Sequence, residues 1–183
     1  MVSALFWVGI PATSVSRNQI WIRPDPGIYK INCDAGINVV GRLVGVGIVI
    51  HDSEGFVMAS SSQKIEATFS PQVVEAVAIY RGLQLAIDIG LTPCKIKSDA
   101  EVIVGWINCK NYLCSEIGVV IDDIHLLLEQ VRCVSVNFVP RKANQVAHVL
   151  AKNGFSFIED TVWLEEFPPC VSSLVSVDRR VCL

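Results

Sequence analysis

The seven cysteines of this sequence include no Cys-x-x-Cys pair, and no apolar run approaches the ~18 residues that a membrane span requires. No His lies near Cys109 and Cys114, the closest two cysteines, so a zinc set is excluded. Basic charge is not in excess either: 15 Lys+Arg stand against 18 Asp+Glu, a net charge of −3. That is not the balance of a chain that holds duplexes by charge alone. Eight Pro and 12 Gly are too few and too scattered for a fibrous or low-complexity protein. Charged residues are only 18%, while 51% are hydrophobic, which excludes intrinsic disorder and supplies a core for about one domain in 183 residues.

Several cysteines sit in apolar runs, as in Ile31-Asn32-Cys33 and Val131-Arg132-Cys133-Val134, and read as small buried hydrophobes in a reducing compartment. The apolar stretch from Val2 to Ala12 is short and lacks a basic leader and a cleavage site. An intracellular protein, of the cytoplasm or nucleus, is expected.

Residues 1–27 lack periodicity and close on Arg23-Pro24-Asp25-Pro26-Gly27, the composition of a linker. The packed domain is expected over 28–157, with 158–183 as an acidic, Pro-interrupted draped tail. Ile28 to Cys33 alternates as a strand and is stopped by Asp34-Ala35-Gly36. Val44–Ile50 and Phe56–Ser60 form a hairpin across His51-Asp52-Ser53-Glu54-Gly55. Ser70-Pro71 opens a helix of about five turns that Gly90 ends. A strand at Cys94–Ser98, helices over 99–109 and 116–131, and a strand over 133–139 follow. Ala143, Val146, Ala147, Leu150 and Ala151 fall at i, i+3, i+4, i+7 and i+8, the inner stripe of a last helix. The order β-β-β-α-β-α-α-β-α implies an α/β fold: a five-stranded mixed sheet, antiparallel first and parallel later, with helices on both faces.

Three carboxylates stand apart from the solvated ones. Asp34 ends the first strand and Asp99 the fourth. If these strands are parallel neighbours, both side chains project at the same carboxyl edge, where ligand sites of α/β sheets lie. Glu75 lies one turn into the long helix, and Ala78, Gly82 and Ala86 below it let that helix approach the sheet closely. Buried carboxylates raise one another's pKa and require something positive among them. No Lys or Arg is obviously placed to supply it. Divalent cations would serve, and an oxygen-only set selects Mg²⁺ or Mn²⁺. A plainer alternative stays open, in which Asp99 is only the N-cap of the following helix.

The motifs Tyr29-Lys-Ile-Asn-Cys-Asp34-Ala-Gly, Gly45 to Asp52, Ser70-Pro-Gln-Val-Val-Glu75-Ala, Lys97-Ser-Asp99 and Phe138 to Ala151 resemble, in order and spacing, the type-1 ribonuclease H family. The likeness is closest to its plant, reverse-transcriptase-associated branch and covers about Ile28 to Phe157. It implies hydrolysis of the RNA strand of an RNA–DNA hybrid with two Mg²⁺ ions, Mn²⁺ being a substitute, held by Asp34, Glu75 and Asp99. His148 stands where family members carry a fourth carboxylate, and the short loop Pro140-Arg141-Lys142-Ala143 lacks the mobile His of some members. His148 would therefore be a metal ligand or proton shuttle, or else Asn144, His148 and Lys152 are simply the wet face of the last helix. Low activity would follow from the missing carboxylate.

The resemblance also implies nucleic-acid contacts at Gly36, Arg141, Lys142 and Asn144, with weak, salt-sensitive binding because no long basic segment is present. Gly45 and Gly47 either let a duplex approach or ease packing in the sheet. A monomer without membrane contact is expected. The rival reading is a catalytically weakened or inactive module of retroelement origin that binds nucleic acid or a protein. A 3′–5′ exonuclease is disfavoured, because such a chain would carry Asp-x-Glu on the first strand. The nuclease reading requires residues 34, 75 and 99 to meet, and none of them to be locked onto a guanidinium.

Overall fold

The computed structural model describes residues 21–66, 69–109, 116–157 and 159–180. Six strands form one sheet: β1 (Tyr29–Asn38), β2 (Leu43–His51), β3 (Val57–Glu66), β4 (Cys94–Ser98), β5 (Ser135–Phe138) and β6 (Thr161–Leu164). Their order across the sheet is β5-β4-β1-β2-β3-β6. β4 runs parallel to both β1 and β5, and the remaining pairs are antiparallel. The helices are α1 (Pro71–Asp88), α2 (Glu101–Cys109), α3 (Glu116–Gln130), α4 (Gln145–Asn153) and α5 (Ser172–Arg180).

The α/β expectation holds, with three differences that have physical causes. β1 does not stop at Asp34 but runs on to Asn38, because β2 stays paired with it up to Asn38↔Leu43. The sheet has six strands rather than five. Four residues of the expected tail, Thr161–Leu164, pair with the open edge of β3, and α5 follows; so short a strand exists only because that edge is there. The expected linker is also partly packed. Trp21 is buried, with Lys30 Nζ 3.4 Å above its ring and His51 edge-on at 4.8 Å.

β2 is buried on both faces from Val44 to His51, and alternate side chains enter two cores. Val44, Val46, Ile48 and Ile50 join the core under α1, α2 and α3, while Val49 joins Val146, Leu150, Val171 and Val175 beneath α4 and α5. The predicted inner stripe of α4 is buried throughout. Two glycines set the approach of the helices. A Cβ on Gly82 of α1 would lie 2.4 Å from Cys33 Sγ, and one on Gly47 would lie 2.0 Å from the Ala147 carbonyl of α4. Gly45 meets the Ala151 carbonyl in the same way, so packing accounts for the glycines of β2. Cys33 and Cys94 are buried thiols as expected, but Cys109 and Cys170 are exposed; Cys114 and Cys182 lie outside the described residues. Among the described residues no helix is long and apolar enough to cross a membrane.

Candidate active site

The parallel ladder between β1 and β4 ends at the pair Cys33↔Ser98. The next residue on each strand is an aspartate, so register alone sets Asp34 beside Asp99. The helix-capping alternative for Asp99 is not what forms: Ser98 Oγ accepts from the Ala100 amide at 3.1 Å, and the aspartate's two oxygens accept from Asn144 and Arg141 instead. Ser70 caps α1 by accepting from the Val73 amide, and Glu75, in the first turns of that helix, accepts from the Ala35 backbone. Asp34, Glu75 and Asp99 thus gather at one edge, close enough to perturb one another's charge.

The groups around them are well defined. His148 Nδ1 lies 2.6 Å from Asp34 Oδ2. Asn144 Nδ2 donates to Asp99 Oδ1 at 2.9 Å, and Arg141 Nε donates to Asp99 Oδ2 at 2.8 Å. Asp34 Oδ1 and Glu75 Oε2 are buried with no hydrogen-bond donor. A buried carboxylate oxygen without a donor is costly, and the ionisation of both groups reflects it. Burial first, then the charges of Asp99 and Glu75, pushes Asp34 up to about 8. Burial and Asp99 push Glu75 up to about 7. Burial also works against ionised Asp99, but hydrogen bonds from Arg141, Asn144 and Asp34 outweigh it and hold its pKa low. His148 is lowered, by burial and then by Arg141 and Lys152, so the ring is neutral near pH 7, and its Nδ1 shares a proton with Asp34 Oδ2.

Without a cation, Asp34 therefore holds a proton against ionised Asp99. Two neighbouring carboxylate oxygens that accept no hydrogen bond are the donor chemistry of a hard divalent cation once Asp34 gives up its proton. Magnesium or manganese fits the residues in kind. The cage is not closed, however: among the described residues no three of Asp, Glu, His or Cys converge as a ready metal set.

Two expectations need correction. A cation does stand among the carboxylates, since the Arg141 guanidinium sits on Asp99. The sequence hid this because Arg141 is 42 residues from Asp99 and comes in on a 3-10 turn, Arg141–Ala143. This is the kind of contact that the sequence reading sets against a nuclease. The contact is one-sided: the Arg141 side chain is 56% exposed and can withdraw to solvent, whereas the Asp99 side chain is 7% exposed and would need another cation in its place. Asn144 is no nucleic-acid contact either: it is 1% exposed and its amide is used inside the protein. Of the other expected contacts, Lys142 is exposed, and Gly36 turns its bare Cα toward the Phe155 ring, 3.3 Å from where a Cβ would be.

A family model described as reverse transcriptase-like matches residues 32–154. An Arabidopsis thaliana protein that bears the provisional name of a ribonuclease H protein is 28% identical over 171 residues, 93% of this chain. The chain spans 27% of that relative's length. Among solved structures, the N-terminal RNase H domain of a Mycobacterium tuberculosis protein is similar with a TM-score of 0.62 and 24% identity, over 70% of this chain and 93% of that one. RNase H1 of Halobacterium salinarum gives 0.65 and 19%, over 70% and 97%. LC11-RNase H1, isolated from compost and solved with an RNA/DNA hybrid, gives 0.63 and 22%, over 70% and 96%. At these identities the structures bear on the fold.

Proposed function

This chain belongs to the reverse transcriptase-like family and carries an RNase H-like domain, and on that premise we propose that it is a divalent-cation-dependent ribonuclease that cuts the RNA strand of an RNA–DNA hybrid. The observation that carries the reading is the pair of donorless buried oxygens, Asp34 Oδ1 and Glu75 Oε2, beside ionised Asp99. A structural polar cluster would be expected to satisfy its carboxylates with donors; this one leaves two oxygens without one. The hybrid-bound LC11-RNase H1 supports the choice of substrate.

Asp34, Glu75 and Asp99 would hold the metal. Magnesium or manganese, when bound, supplies charge neutralisation at phosphorus and a hydroxide for in-line displacement. The remaining work falls to the chain's own residues. Asp34 and Glu75 must each release the proton that burial favours, so the site charges as pH rises through 7 to 8. With its proton on Nδ1, His148 donates to Asp34 and leaves Nε2 as a general base that takes a proton from water. Arg141 must leave Asp99 for the full acidic set to be available, and its half-exposed guanidinium is then at hand for phosphate. Both His148 and this exchange reduce the charge offered to a second ion, so activity should be low.

The purified chain with Mg²⁺ or Mn²⁺ should cleave the RNA strand of a labelled hybrid, and Asp34→Asn should not. A wild type as inert as the variant rejects the enzyme reading. A second reading, a non-catalytic RNase H-like module that binds nucleic acid or protein, is favoured by the Arg141–Asp99 pair and by His148 in place of a carboxylate. It would be adopted if the inert wild type still bound hybrid.

A further inference from the structure

The amide of Asn144 carries Asp99, and its orientation is dictated by its neighbours. Its Nδ2 lies 2.9 Å from the Cys33 carbonyl and 2.9 Å from Asp99 Oδ1, both acceptors. Its Oδ1 must therefore face away from them, toward a donor. That donor is Asn32 Nδ2, at 2.9 Å. Asn32 and Asn144 are 2% and 1% exposed, too deep for solvent to replace either partner freely.

Asn32 precedes Asp34 by two residues on β1, so both side chains leave the same face of the sheet. Its neighbours Ile31 and Cys33 are fully buried and apolar. Its own Oδ1 has no hydrogen-bond partner, a cost that an apolar residue at this place would avoid. The one return on that cost is the bond to Asn144, with a longer contact to the Ala143 carbonyl at 3.5 Å.

We propose that Asn32 is a positioning residue: by fixing the amide of Asn144 it holds the Asp99 carboxylate in the orientation that the acidic site uses. The link runs Asn32 Nδ2 to Asn144 Oδ1, then Asn144 Nδ2 to Asp99 Oδ1, and it ties β1 to the end of β4 through the start of α4. Without Asn32 the buried Asn144 Oδ1 loses the donor it has there, which loosens the amide that holds Asp99 and leaves that carboxylate to Arg141. The inference rests on the divalent-cation reading for its purpose, but the link itself can be tested without metal.

Thermal unfolding of the wild type, Asn32→Leu, Asp99→Ala and the double variant is measured in EDTA, and then under Mn²⁺ titration. Val175→Ala, in the second core, is the control for plain destabilisation, alone and combined with Asp99→Ala. The Tm losses of Asn32→Leu and Asp99→Ala should fail to add, the double variant falling by about 2 °C or more less than their sum, whereas the control adds. Asn32→Leu should also raise the Mn²⁺ concentration for half-maximal stabilisation about fivefold or more, and Val175→Ala should leave it in place. If Asn32→Leu does not fold, Asn32→Ser takes its place in both arms. Additive losses, or an unmoved Mn²⁺ midpoint, overturn the proposal. If Mn²⁺ does not stabilise the wild type, the cation reading falls alone, and the EDTA cycle still decides for or against the Asn32 link.

Discussion

Asp34 and His148, 114 residues apart in the chain, meet at 2.6 Å between Oδ2 and Nδ1, while the other oxygen of the same carboxylate has no donor. Asp34 thus meets His148 on one side and gives its own proton to a hydrogen bond with Asp99. On the proposed reading, a divalent cation takes the place of that proton.

The first consequence concerns pH. Asp34 at about 8 and Glu75 at about 7 both lie above unfolded carboxylate values of about 4. Between roughly pH 6 and 8 the folded chain binds more protons than the unfolded one, so this contribution to stability is lost as pH rises. In EDTA the Tm of the wild type should fall across that range relative to Asp34→Asn. The Tm gain from Mn²⁺ should grow over the same range. Parallel pH profiles for the two proteins would contradict the assignment.

If Asp99 holds metal as proposed, Arg141 is its competitor. In EDTA, Arg141→Ala should cost about 1–3 kcal/mol of stability, because it leaves the buried Asp99 carboxylate without its cation. It should lower the Mn²⁺ concentration for half-maximal stabilisation about threefold or more, as the loss of a weak competitor implies. A midpoint that rises would mean that Arg141 supports the site instead of blocking it.

His148→Asp puts a carboxylate against Asp34. In EDTA it should destabilise the chain by about 1–3 kcal/mol, since a buried carboxylate loses a donor and gains like charge. With Mg²⁺ it should bind metal more tightly and cut hybrid faster than the wild type. Unfolding and cleavage measured on one preparation separate the two effects.

Gly47→Ala tests the packing that positions α4. The new Cβ would fall 2.0 Å from a backbone carbonyl of that helix, so relief requires α4 to move with His148 on it. A loss of about 3 kcal/mol by denaturant titration is expected, with a weaker Mn²⁺ response. Unchanged values would mean that α4 is more loosely seated than its contacts imply.

The acidic residues were legible in the sequence for a definite reason. Asp34 and Asp99 follow apolar strands, and Glu75 sits above a stripe of small residues, so periodicity alone marked all three. Their surroundings were hidden. Asn144, His148 and Lys152 share one helical spacing that looked wet throughout, yet Asn144 is buried, the His148 side chain is 16% exposed and Lys152 is exposed. The stripe enters the site at one end and leaves it at the other, and spacing cannot show where. Asn32 left one signal that was passed over: a polar amide inside an apolar strand, on the face of Asp34. β6 left almost none, because four residues become a strand only when the edge of β3 is there to pair with.

Calorimetric titration of the metal-free chain with Mn²⁺ at about pH 6.5, in two buffers of different ionisation heat, tests the acidic site most directly. Asp34 and Glu75 are largely protonated at that pH, so binding should occur with release of about one to two protons, and the observed heat should differ between the buffers. Heats that match simple dilution in both buffers would show that these carboxylates keep their protons and hold no cation.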